Sequence, residues 1–224
     1  MIEVLSSFNC APNTFFVAIN IMDSYMQKSS KTFCVKDIHL IGVTSMLLAS
    51  KMEEIIPFKV STVVEKMTHG KMKQKEIVDC ESDILSTLNF KLLEQPSLFI
   101  LVEFLLVKLN LHNHPLNANI IKVVTYISKM LIHDYSLITK YSLKYLAASC
   151  IYICFKIIEQ VNCDFKTKIY IEKLKTTLDL NEQTFYTSSE HLLALAKTFE
   201  NTFPYAKNLL KFDSFSLEKD EKLF

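Results

Sequence analysis

The stretch Leu40-Ile-Gly-Val-Thr-Ser-Met-Leu-Leu-Ala-Ser-Lys51-Met-Glu-Glu54 returns 105 residues later as Tyr145-Leu-Ala-Ala-Ser-Cys-Ile-Tyr-Ile-Cys-Phe-Lys156-Ile-Ile-Glu159. Small residues fall on small ones, apolar on apolar, and the closing Lys…Glu coincides. A segment that is apolar on every side is expected to be a helix wrapped by neighbours, the hub of a bundle. The uncharged runs Leu40–Ser50 and Tyr145–Phe155 are eleven residues each. A membrane span needs about twenty, so these read as core helices of a soluble protein.

Working outward, the same shift lays Thr14–Met26 over Asn119–Leu131 without a gap. A shift of 109 places the segment around Glu81 over the one around Glu190. Two repeats of about a hundred residues follow, each of about five helices, a period that means duplicated domains rather than a solenoid. Apolar spacing of three and four at Phe16, Ile19, Met22 and Met26 predicts a helix over Asn13–Gln27. Further helices are expected over Val35–Glu54, Val60–Met67, Met72–Leu88 and Ser97–Leu109. His69-Gly70 marks a turn, Pro57 a stop and Pro96 a start.

Composition agrees with an all-α fold. The 224 residues include two glycines and five prolines, where average usage gives about 16 and 11. A sandwich or barrel, or a glycine-rich nucleotide loop, cannot be built from Gly42 and Gly70 alone. The 25 basic residues, all lysine, balance 24 acidic ones. Without arginine and without a basic excess, nucleic acid is a poor partner. The six cysteines show no C-x-x-C spacing, and Cys150 and Cys154 lie within an apolar helix, so packing in a reduced protein is the simplest reading. The pair His112 and His114 lacks further ligands, so no metal site is expected. Phosphate-binding and nucleophile-elbow motifs are absent. Neither a catalytic residue nor a cofactor is indicated, and the first twenty residues lack the basic start of a signal peptide.

Lys51 by itself reads as a cation complementing the end of a helix. In company it reads differently. Asn20-Ile-Met-Asp23, Leu40–Ile55 with its Ala-Ser-Lys51-x-Glu-Glu54 ending, and Glu81-x-x-Ile84-Leu85-x-x-Leu88-x-Phe90-x-Leu92 together resemble the cyclin box. Pro96-x-x-Phe99 is similar to the opening of the second domain in A- and B-type cyclins. The resemblance runs from residue 1 to about 210. It implies tandem cyclin-box domains, 1–92 (first helix incomplete) and 93–211, and the charged tail at 212–224 is expected to be frayed. The boundary between the domains is expected within Lys91–Ser97.

The resemblance also implies a function, that of an activating subunit forming a heterodimer with a cyclin-dependent protein kinase in the cell cycle, in nucleus or cytoplasm and not on a membrane. Lys51 and Glu81 match the family's pair that hydrogen-bonds the kinase near its C-helix and activation segment. Leu48, Met52, Ile55, Leu85, Phe90 and Leu92 would surround them, with Glu54 at the edge. The family's patch for Arg-x-Leu substrates keeps only Glu3, Ile38 and His39 here, and the chain has no tryptophan, so that docking is expected to be weak. The alternative is a cyclin-fold adaptor or transcription-related protein that activates no kinase. Lys156 and Glu159 are read as structure inherited by the second repeat.

Overall fold

The computed structural model describes residues 1–163 and 165–204. Their regular structure is helical throughout. The helices are α1 Ile2–Ser7, α2 Pro12–Lys28, α3 Val35–Glu53, α4 Val60–Thr62, α5 Gln74–Thr87, α6 Leu98–Lys108, α7 Asn117–Ile132, α8 Tyr135–Lys140, α9 Leu143–Val161, α10 Thr167–Leu178 and α11 Glu182–Thr202. Helix α4 runs straight into a π-helical turn, Val63–Met67. They form two compact units, Met1–Ser97 and a second beginning at Leu98. The tail 212–224 lies outside the described residues.

Local chemistry sets the helix ends. Pro12 opens α2 in its first turn, where a missing N–H costs nothing. The Asp37 carboxylate reaches back to accept the Cys34 N–H at 2.8 Å and starts α3. Glu76 does the same for α5, accepting the Lys73 N–H at 2.6 Å. His69 and Gly70 both take left-handed φ, 50° and 71°, and turn the chain into α5.

In the first unit α3 is the hub: Ile41 to Ser50 are buried without interruption, against α2, α5 and the π turn. In the second unit α9 takes that place among α6, α7, α10 and α11. Cys150 and Cys154 are fully buried there, and desolvation pushes the Cys150 thiol up to about 12. Both serve as packing side chains.

Two expectations change. The second unit has six helices among the described residues, because α8 intervenes between α7 and the hub. Asp134 starts it, accepting the N–H groups of Ser136 and Leu137 at 2.9 and 3.3 Å. The shift relating α5 to α11 is also 108, not 109. Ile77, Cys80 and Ile84 point inward from α5, as Phe185, Ser188 and Leu192 do from α11. Polar neighbours agree: Cys80 lies beside the Thr44 hydroxyl, and its counterpart Ser188 lies 2.8 Å from Ser149. Glu81 therefore corresponds to the buried Ser189, and Glu190 is an exposed coincidence of letters.

Candidate functional site

The last turn of α3 meets the middle of α5, and there the Lys51 Nζ lies 2.6 Å from the Glu81 Oε1. The side chains are 42% and 14% exposed, so the pair sits at the surface with the carboxylate sheltered. Glu81 and Leu85 share one face of α5, four residues apart, and Leu85 is half-buried. Beyond Lys51 the chain leaves the bundle with Met52 45% and Ile55 100% exposed. Beyond α5, Phe90 is 74% exposed and Leu92 half-buried. Ile56, which no motif singles out, is 84% exposed. The first unit thus exposes both an ion pair and several large apolar side chains.

Two residues assigned to this surface belong elsewhere. Leu48 is 3% exposed and packs into the core of the first unit, since it lies within the continuously buried stretch of α3. Glu54 turns inward. Its Oε1 accepts the Ala11 N–H at 2.9 Å and also the Thr14 hydroxyl, while Glu53 accepts from the Asn13 amide at 2.8 Å. Asn13 in turn accepts the Ser97 hydroxyl at 2.6 Å. The two carboxylates thus tie the end of α3 to the start of α2, where a helix N-terminus favours negative charge. Burial and the Glu54 charge push the Cys10 thiol up to about 11. An acidic pair next to a helix start that carries Asn and Thr was the available signal.

A second polar cluster went unread. Asp83 accepts hydrogen bonds from the Tyr25 hydroxyl and from the Lys31 ammonium at 2.5 Å. The lysine bond, then the tyrosine bond, holds its carboxyl below the ordinary value, while burial and Asp83 push the Tyr25 phenol up. They border a cleft of about 410 Å³ also lined by Phe33, Asp37 and Cys80.

Glu3 is exposed in the first turn of α1, and Ile38 and His39 are exposed near the start of α3. Met1 lies over Gly42, where a Cβ would stand 3.3 Å from its methyl, so α1 begins against the first half of the hub. His114 accepts the Leu116 N–H at 3.1 Å and meets Phe165 edge-on, and His112 lies 2.9 Å from the Asn113 amide. Among the described residues no three His, Cys, Asp or Glu side chains are placed to hold a metal ion. No helix among them is long and apolar enough to cross a membrane. In the second unit Lys156 pairs with Glu159 of its own helix at 2.9 Å.

The fold is that of a solved cyclin structure, and the first unit is similar to the cyclin N-terminal domain. The model of the cyclin N-terminal domain matches residues 1–93, the span that carries Lys51, Glu81 and Phe90. The structure of a viral cyclin from herpesvirus saimiri superposes with a TM-score of 0.66 at 21% identity, covering 85% of this chain and 80% of that one. In sequence the chain is similar to G2/mitotic-specific cyclin-2 of Antirrhinum majus, 29% identical over 68% of this chain and 33% of that protein. It is likewise similar to Cyclin-B1-1 of Arabidopsis thaliana, 29% identical over 72% of this chain and 36% of the relative. The chain spans about a third of the length of these relatives. Its first 93 residues are a cyclin N-terminal domain, and its relatives, at modest identity, are cyclins named as A-type, B-type or mitotic.

Proposed function

We propose that this chain is an activating subunit of a cyclin-dependent protein kinase in cell-cycle control, with no catalytic residue or cofactor of its own. The observation that carries the reading is the Lys51–Glu81 pair at the surface of the first unit, on which Met52, Ile55 and Phe90 also face water. The lysine has further N–H donors, and the glutamate a second carboxylate oxygen, to offer a partner's backbone. Such charge-assisted bonds strengthen as the apolar rim excludes water. Burying side chains of the size of Ile55 and Phe90 contributes about 1.5–3 kcal/mol each. A kinase C-helix and activation segment laid on this face would be held in their productive order, which is how such kinases are switched.

Nucleic acid is no partner, given 25 lysines against 24 acids. The test adds the purified chain to a panel of cyclin-dependent kinases and measures transfer of phosphate to a peptide. One kinase should rise in activity at least tenfold, and the chain alone should transfer none. No rise across the panel, with the chain folded by circular dichroism, contradicts the proposal.

A further inference from the structure

Three helices end in the same way. After α1, α5 and α6, an asparagine takes a left-handed φ: 52° at Asn9, 49° at Asn89 and 60° at Asn110. The next residue then donates its N–H to the carbonyl five residues back. These bonds are Cys10 to Leu5 at 3.0 Å, Phe90 to Leu85 at 2.8 Å and Leu111 to Leu106 at 3.0 Å. This is the Schellman closure, in which the second residue past the helix usually folds back onto an apolar side chain of the last turns. Leu111 does so and is fully buried, and Cys10 is half-buried.

Phe90 does the opposite. It too has a left-handed φ, 59°, and it stands 74% exposed. Among the described residues, the other non-glycine ones with positive φ are Asn9, His69, Asn89, Asn110 and Asp179, all of the types that tolerate this region. A phenylalanine there is strained by its Cβ, and no burial offsets the strain. The turn is nevertheless fully bonded: Asn89 donates to Ser86 at 3.1 Å and Lys91 to Leu88 at 2.9 Å, with Leu88 anchored in the core.

We infer that the Asn89–Phe90 turn is a display device: the fold of the first unit holds the Phe90 ring out of the core, at a conformational cost, as a preset anchor for the kinase surface. The inference rests on the kinase-binding reading. In it, Asn89 is a positioning residue and Phe90 the anchor. Presetting the ring removes ordering from the binding step, the general advantage of a rigid aromatic anchor.

The experiment compares Phe90→Gly with Phe90→Ala in the full chain, by melting temperature and by binding to the kinase that the chain activates. Both remove the ring, but only glycine relieves the left-handed backbone. Phe90→Gly should melt about 2–4 °C above Phe90→Ala, the size expected for relief of one such strain in a chain of this length. Both should bind at least tenfold more weakly than the parent. Asn89→Val, β-branched in a left-handed site, should weaken binding while Phe90 itself is unchanged; Asn89→Gly should bind as the parent does. Equal melting of the two Phe90 variants overturns the strain. Parent-like binding by Phe90→Gly, while Lys51→Ala still binds poorly, overturns the anchor and leaves the kinase reading standing. If no kinase binds the parent, the kinase reading fails and the anchor falls with it.

Discussion

The two hub helices end on the same letters and do different things with them. In the first unit Lys51 crosses to Glu81 on α5, and Glu54 turns inward to hold the start of α2. In the second, Lys156 and Glu159 pair with each other along one helix. The reason lies on the neighbouring helix. Where α5 offers Glu81, α11 offers Ser189, which is buried and bonded to Ser149 at 3.1 Å and to the Phe185 carbonyl at 2.9 Å. With no carboxylate across from it, Lys156 has only its own helix to turn to. A duplicated frame thus keeps a charge where it was, while its partner on another helix decides whether it builds a surface site or an ordinary helix-end pair. The aromatic rim differs as well: Phe90 faces water, whereas the residue 108 positions on is Thr198 of α11, which carries no ring.

The largest effect expected from breaking this difference is in Ser189→Glu, which copies the first unit's glutamate into the second. If the site could be transplanted, Lys156 would simply change partner. We expect instead a loss of about 3–5 kcal/mol, because the carboxylate enters a buried hydroxyl cluster at 2% exposure. Chemical denaturation measures it; an unchanged midpoint would show that α11 can accept the pair.

The fold was legible in the sequence because it rests on apolar periodicity, and ten consecutive buried residues of α3 leave little ambiguity. The repeat was legible for the same reason. What failed was register and direction. The identical letters at Glu81 and Glu190 suggested a shift one residue too long, since side-chain identity is a weaker signal than which face is buried. Leu48 and Glu54 were placed on the surface because a linear motif does not say which way a side chain points. The Asn13–Glu53 and Tyr25–Asp83 bonds join residues 40 and 58 positions apart, and no local pattern announces such pairs.

A middle-sized effect separates the two glutamates that share a register. Glu54→Ala strands the Ala11 N–H and the buried Thr14 hydroxyl, and should cost about 1–3 kcal/mol. Glu159→Ala removes half of an exposed pair within one helix and should cost at most about 0.5 kcal/mol. Equal losses in urea unfolding would mean that the two ends are built alike after all.

The smallest effect is in acid. The carboxyl of Asp83 is held below its ordinary value by Lys31 and Tyr25, so its contribution to stability is full above the unfolded value of about 4. It is lost as pH falls through the lower folded value. Asp83→Asn should therefore flatten the acid limb of the stability curve below about pH 4 and leave its shape near neutrality alone. Since the carboxylate is partly exposed, the change should stay near 1 kcal/mol or below. An acid limb identical to the parent's would remove Asp83 from the account of the first unit.

The measurement that bears most directly on the central claim is the affinity of Lys51→Ala, Glu81→Ala and Lys156→Ala for the kinase that the parent activates, each read alongside its melting temperature. An exposed ion pair contributes about 0–1 kcal/mol to folding, so all three should melt within a few degrees of the parent. At an interface the first two side chains lose water and bond a partner's backbone, and each truncation should cost about 2–4 kcal/mol of binding. We expect Lys51→Ala and Glu81→Ala to bind poorly and Lys156→Ala to bind as the parent does. If Lys156→Ala is the variant that loses the kinase while Lys51→Ala keeps it, the binding face belongs to the second unit, and the site assigned to the first is wrong.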